Sequence, residues 1–360
     1  MDMLLRPDSS FALLNDWQRD FPLAATPYAE IGAHCGMTES EVLDGYRDLL
    51  RSGAISRIGG VWGAGAGGAA LLCAFAVPPT RLEAVASLVS AHAGVNHNYE
   101  REHRYNLWFV ITGRCAASVA QAVDDLERRT GFEALRLRMQ RAYRIDLGFD
   151  LRDTLAASGG SAFQAVAPVL AADAPLAALV EGGVPLDARP YDLWADALGR
   201  PRDQVLATLR RWLREGALRR FGVIVRHHEA GYTHNAMTVF DVPDSAVDAA
   251  GTQLAGQLGV TLAYRRERAS GWPYNLYCMV HGRDRDEVRT AIDTATERCG
   301  LAAHPRAVLF SRRRFKQGGG SYFRAPPGPG QPSPAMGLQA ERLSPATRER
   351  ADQGALHGAC

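Results

Sequence analysis

"TPYAEIGAHCGMTESEVLDGYRDLLRSGAISRIGGV", residues 26–61, has a second version in the same chain, "RPYDLWADALGRPRDQVLATLRRWLREGALRRFGVI", residues 189–224. The two align without a gap at an offset of 163 residues, with Pro27/Pro190, Tyr28/Tyr191, Gly36/Gly199, Gly53/Gly216 and Arg57/Arg220 in register. Downstream the offset grows to 165 at Val77–Pro78 and Val242–Pro243, and to 169 between "YNLWFVITG" and "YNLYCMVHG", as short loop insertions would cause. Chance does not hold register through so many blocks, so the chain is a tandem duplication.

Each copy predicts the same elements. Pro27 and Tyr28 open a helix, "GMT" turns, and Thr38 with Glu41 makes a capping box before a helix that Gly53 ends. That spacing is a helix-turn-helix. Extended runs follow, "ISRIGGVW" and "ALLCAFAVP", then a helix from Arg81 to about Ala91. The stretch "VNHNYEREHRYNLWFV" (Val95 to Val110) reads as a hairpin, followed by a helix from about Ala116 to Arg129 and a last strand near Ala134 to Gln140. The order βαββαβ describes a ferredoxin-like sheet. The fold class is therefore α+β, with a helix-turn-helix unit (1–60) and ferredoxin-like domain (61–150) repeated as 173–220 and 221–323. Residues 151–172 are expected to link the copies. The tail 324–360, with "RAPPGPGQPSPAMG", carries too much Pro and Gly to be expected to order.

Composition narrows the function. The 360 residues are 46% apolar and 22% charged, and 41 basic against 39 acidic residues give a net charge of +2. No large basic field exists, so nucleic-acid binding would need a local patch. Apolar stretches fall short of the ~18 to 20 residues of a membrane span, and "MDMLLRPDSS" lacks a signal-peptide pattern; a cytoplasmic protein is expected. The six cysteines are scattered without a C-x-x-C, which argues against zinc, iron–sulfur and covalent haem sites.

The hairpin concentrates chemistry. His97, Tyr99, Glu100, Arg101, Glu102, His103, Arg104 and Tyr105 lie within nine residues. On a strand His97, Tyr99 and Arg101 share one face, opposite Asn96, Asn98 and Glu100. The second copy reads "LAYRRERASGWPYNLYCMV": Tyr99-Glu100-Arg101 becomes Tyr264-Arg265-Arg266, and the two histidines have no counterpart. The duplicates share a scaffold and divide their polar groups.

The domain order resembles Lrp/AsnC transcription regulators. The helix "TESEVLDGYRDLL", with four acids around Arg47, would repel phosphates; the second copy has seven arginines between residues 200 and 220, but paired readout needs both helices basic. DNA is therefore not the expected partner. More closely, "ISRIGGV", "VNHNYEREHRYNLWFV", "RRFGVIVRHHEAGYTHNAM" and "FSRRRFKQ" resemble the siroheme decarboxylases, in the order of a fused two-subunit protein, from about Leu13 to Phe323. The resemblance implies loss of CO₂ from the C12 and C18 acetates of siroheme, giving didecarboxysiroheme in heme d1 or alternative heme biosynthesis. It implies no cofactor beyond the tetrapyrrole. The expected partners are siroheme, its product and a second copy of the fused chain, with other heme d1 biosynthesis proteins as further candidates. A tetrapyrrole-responsive regulator is the alternative, and a carrier a third reading.

A polycarboxylate ring needs cationic donors, best met by arginine forks. Arg57, Arg101, Arg104, Arg220, Arg226, Arg265 and Arg266, with Tyr264, are expected to bind the spectator carboxylates, and Trp272 to stack on the ring. Loss of CO₂ leaves electron density on a carbon that must then be protonated; His97 and His103, with Tyr99, are the expected proton donors. His227, next to His228 and not far from His234, is the expected ligand of the siroheme iron.

Overall fold

The computed structural model describes residues 7–145, 166–226 and 234–324. The first copy runs α1 (Pro7–Asn15), α2 (Pro27–Cys35), α3 (Glu39–Arg51), β1 (Ile55–Trp62), β2 (Ala69–Phe75), α4 (Leu82–Ala91), β3 (Val95–Arg101), β4 (Leu107–Gly113), α5 (Ala116–Thr130), β5 (Leu135–Leu137) and β6 (Met139–Ile145). The second runs α6 (Ala174–Gly182), α7 (Pro190–Leu198), α8 (Arg202–Arg214), β7 (Leu218–Val225), β8 (His234–Phe240), α9 (Val247–Ala255), β9 (Val260–Arg266), β10 (Leu276–Gly282), α10 (Arg285–Arg298) and β11 (Arg306–Gln317).

The helix ends follow the sequence signals. Gly36 and Gly199 close α2 and α7 at φ 65° and 60°, a conformation costly for any residue with a Cβ. Thr38 Oγ1 accepts the Glu41 amide while the Glu41 carboxylate accepts the Thr38 amide at 2.7 Å. Apolar faces of both helical units merge into one core around Tyr28, Tyr46, Tyr191, Leu209, Trp212 and Phe221. The units are stitched by β1 and β7, an antiparallel pair centred on Gly59 opposite Gly222. At Gly222 the backbone of Trp17 and Gln18 comes so close that no Cβ fits.

This pairing departs from expectation. "ISRIGGVW" belongs to a separate two-stranded sheet rather than to its own ferredoxin-like domain. The last strand of each copy departs as well. β5 pairs with β2 of its own copy, and then, after Arg138, β6 pairs with β9 of the other. In the same way β11 pairs first with β8 and then, from Ser311, with β3. The resulting nine-stranded order is β5-β2-β4-β3-β11-β8-β10-β9-β6. Since β5 and β6 are consecutive in the chain, the sheet closes on itself. The two ferredoxin-like domains are therefore halves of one closed body. Helices α4 and α5 cover one outer face and α9 and α10 the other, around separate cores. The inner faces meet in a third core, with Trp108, Leu137, Met237, Trp272, Tyr277 and Leu309.

Candidate functional site

Strand alternation is visible in the contacts of β3. Asn98 points outward, its amide donating to Ala86 O and Ser90 Oγ of α4, both at 3.0 Å. His97, Tyr99 and Arg101 therefore face the space between the two halves. Arg101 is 7% exposed and donates to the Leu309 carbonyl at 3.1 Å, with Met279 Sδ at 3.9 Å. Its guanidinium lies 5.5 Å from the Tyr99 ring centroid. No carboxylate stands within ion-pair distance of Arg101 among the described residues, and burial lowers its pKa to about 10.

The second half mirrors this. Arg266 donates to the Leu137 carbonyl at 2.9 Å and lies 4.8 Å from the ring of Tyr264. Its Nε is buried without a partner. Both phenols have their pKa raised, by burial first, and Arg101 acts electrostatically on Tyr99 and on Tyr264 alike. The two Tyr–Arg pairs thus line one interior.

His97 breaks the symmetry, since Leu262 stands in its place. The imidazole lies against Tyr99, ring centroids 6.2 Å apart and nearly parallel, with Nδ1 2.8 Å from Asn96 Oδ1. Burial, reinforced by Arg101, pushes its pKa down to about 4, so it is neutral at physiological pH.

Several expected members lie elsewhere. His103 sits on the exposed hairpin tip, hydrogen-bonded to the Tyr105 amide and edge-on to Trp272. Arg101 lies four residue steps along the strand from His97, roughly 13 Å at strand rise, and His103 is two further on, so the histidines do not form one constellation. Arg104 is also at the tip, donating to Tyr105 Oη at 3.0 Å. Trp272 does not offer a stacking face: it is 1% exposed, packed on His103, Tyr105, Trp108 and Tyr274, with its N–H on Tyr277 Oη at 2.7 Å. Arg265 points opposite to Arg266, pairing with Asp244 at 3.1 Å. It lines an outer-face cavity of about 520 Å³ with Arg138, Arg141 and Asp248; these arginines are already matched by Glu267 and Asp248.

Arg220 is 6% exposed and donates to the Gln18 and Val223 carbonyls, which holds the β1–β7 sheet to the chain after α1 instead of a ligand. Arg226 follows β7, its amide on the Ala54 carbonyl at 2.9 Å. Arg57 donates to Gly60 O at 3.1 Å, and its Nε is buried without a partner. It lies against Gly319, two residues beyond Gln317, which is paired with His97. Arg57 is thus on the His97 side of the molecule. His227 lies outside the described residues.

Arg314 was not singled out by the sequence. Of the three arginines in "FSRRRFKQ", Arg312 and Arg313 face Glu102, Glu83 and Glu100, whereas Arg314 donates to Gln317 Oε1 at 2.8 Å and acts on the Tyr99 phenol. On the basic helix α8, Arg211 pairs with Asp173 at 2.7 Å, Arg202 with Asp192 at 3.4 Å, and Arg210 donates to Leu23 O at 2.6 Å; Arg200, just before the helix, also pairs with Asp173, at 2.9 Å. No helix of the described residues is long and apolar enough to cross a membrane.

Residues 11–55 match the family described as the siroheme decarboxylase NirDL-like HTH domain, and residues 66–144 and 229–316 match the AsnC-like ligand binding domain. The siroheme decarboxylase NirDL subunit of Paracoccus denitrificans (strain Pd 1222) is 38% identical over 316 residues, covering 87% of this chain and 96% of that protein. The siroheme decarboxylase NirD subunit of Pseudomonas aeruginosa is 45% identical over 144 residues, 40% of this chain and 96% of its own. A crystal structure of the siroheme decarboxylase NirDL in co-complex with an iron-uroporphyrin III analogue superposes with a TM-score of 0.62 at 27% identity, covering 88% of this chain and 94% of that one. With both modules matched in order and a fused relative aligned over nearly its whole length, the chain belongs to the siroheme decarboxylase family.

Proposed function

We propose that the chain decarboxylates siroheme at its C12 and C18 acetates, using His97 as the proton donor. The observation that carries this is the interior stripe His97–Tyr99–Arg101 facing Tyr264–Arg266, in which the buried guanidinium of Arg101 and the half-buried one of Arg266 have carbonyls and phenols around them but, among the described residues, no acid. A buried cation without an anion is poorly solvated, and a carboxylate from the ring supplies the missing charge in the bidentate geometry that arginine favours. Arg101 and Arg266, with Arg57 and Arg314 on the His97 side, hold spectator carboxylates. Strong clamping of the scissile acetate would stabilise the ground state, so that acetate belongs beside His97 and Tyr99.

CO₂ departs with its carbon–carbon bonding pair left on the methylene, where the macrocycle delocalises it, and one proton closes the step. His97 is neutral in the free protein. The arriving polyanion raises its pKa, so the proton enters with the substrate and is held next to the carbon that needs it. Leu262 leaves the second half without this donor. The reaction needs no group beyond the tetrapyrrole in this scheme, and its iron is part of the substrate; His227 is kept as the proposed ligand. Two chains of the fused protein are proposed to associate in the cytoplasm.

The test is anaerobic incubation with siroheme and mass analysis of the product. Two successive losses of CO₂ support the reading; an unchanged ligand combined with DNA retardation would replace it by the regulator. Three arginines of α8, Arg202, Arg210 and Arg211, are engaged by Asp192, the Leu23 carbonyl and Asp173, which weakens that alternative.

A further inference from the structure

His97 is half-buried inside the closed sheet, yet a rigid macrocycle must reach it. Along the sides the interior is closed by hydrogen-bonded ladders, with β11 joining β3 to β8 and β5–β6 joining β2 to β9. At one end the hairpin tips are plugged by Trp272, whose ring centroid lies 5.2–5.8 Å from those of His103, Tyr105 and Trp108. At the other end, Gly318–Arg324, a segment with no strand pairing, runs from beside His97 over the ends of β3, β4 and β2.

This segment is fastened at few points. The Ser321 amide donates to Thr112 Oγ1 at 3.0 Å. The Phe323 ring rests on Trp62, centroids 4.8 Å apart, over Gly67, where a side chain would collide with it. The carboxylate of Glu181 on α6 accepts the amides of Tyr322, Phe323 and Arg324 at 2.7–3.2 Å. Glu181 is 6% exposed, so these charge-assisted bonds operate in a dry setting where they are strong. They are also all on one side chain. Gly318, Gly319 and Gly320 precede them and leave the backbone free to swing, and Gly319 packs directly on Arg57.

We propose that Gly318–Arg324 is a strap that lifts to admit siroheme to His97, and that Glu181 is the positioning residue that latches it. The proposal rests on the siroheme reading. Opening breaks the Glu181 cluster and the Ser321–Thr112 bond and lifts the Phe323 and Tyr322 rings off Trp62 and Gly68, a local excursion that leaves the strand ladders intact. On closure the strap returns Gly319 to Arg57 on the His97 side, so the latch also sets the geometry of the donor side.

Two measurements test it. With the unmodified protein, the rate of the siroheme absorbance change should level off as siroheme concentration rises, at the rate at which the Tyr322–Arg324 amides open in hydrogen exchange. A rate that climbs linearly without a plateau overturns the strap. In Glu181→Gln one oxygen becomes an amide that cannot accept, so those amides should exchange roughly tenfold faster, and siroheme association should accelerate by a similar factor. Glu181→Ala serves if the glutamine still latches. Faster exchange with an unchanged association rate rejects gating. If the unmodified protein produces no absorbance change with siroheme, the substrate reading itself has failed, and the strap falls with it.

Discussion

Arg101 and Arg266 are mates across the internal duplication, each reaching into the other half: Arg101 donates to the Leu309 carbonyl at 3.1 Å and Arg266 to the Leu137 carbonyl at 2.9 Å. Leu309 and Leu137 occupy matching places, opposite Met237 of β8 and Leu72 of β2. The guanidiniums thus hold the two seams of the closed sheet and meet no acid among the described residues.

That arrangement separates stability from affinity. Arg101→Met removes a buried unpaired charge and keeps the volume, so resistance to urea should hold or rise. Siroheme affinity should fall by roughly tenfold to a hundredfold, the worth of a charged hydrogen bond. Denaturation curves and absorbance titrations on the same preparation check both signs. Equal losses in both would mean that Arg101 is only structural.

Separation of the two histidines gives a sharper prediction. His97→Ala should lower turnover by about 10²–10⁴-fold, as expected for loss of a general acid, with binding largely kept. His103→Ala, at the exposed tip, should turn over at nearly the normal rate. Single-turnover product analysis decides, and a dead His103 variant with an active His97 variant would reverse the assignment.

Acidity acts through His97 in a direction that can be worked out. Its pKa lies near 4 in the folded chain, against 6.5 for the ordinary side chain. The unfolded chain therefore binds more protons between these values, and this contribution to stability is complete above about pH 6.5 and lost as pH falls towards 4. It amounts to at most on the order of 3 kcal/mol. His97→Leu should flatten that part of the curve. An unchanged pH profile of urea midpoints in this variant would show that the imidazole is not held neutral by burial.

Strand exchange is tested at Gly251. This α9 residue lies under the Tyr143 ring of β6, where a methyl group would overlap the ring. Alanine normally favours a helix over glycine by about 1 kcal/mol, yet Gly251→Ala should destabilise by about 1–3 kcal/mol through overpacking. Adding Tyr143→Leu should restore most of it. Thermal unfolding of the single and double variants reads the coupling.

Much of the scaffold was legible because it depends on local signals. The capping box at Thr38 and Glu41 and the left-handed Gly36 and Gly199 fall where the sequence places helix ends, and the face shared by His97, Tyr99 and Arg101 follows from alternation. Alternation gives the face but not the reach, so His103, on the same short stretch, was grouped with a residue at the far end of its strand. The same rule, applied to Arg265 and Arg266, would have separated them. The exchange of β6 and β11 was hidden because a strand's partner is not written in its own residues; only the break at Arg138 marks it. Trp272 looked available at a hairpin tip until the other half of the molecule was laid against it. Glu181 carried no signal, being one acid in the apolar stretch "PLAALVEGG", far in sequence from the amides it binds.

Closing the sheet within a single polypeptide has an evolutionary corollary. When two identical subunits build a two-fold body, every substitution appears twice, and neither side can specialise without altering the other. A covalent tether removes that coupling. One copy of the repeat carries a histidine at position 97 where its sibling carries leucine at 262, and the shared interior receives contributions from both.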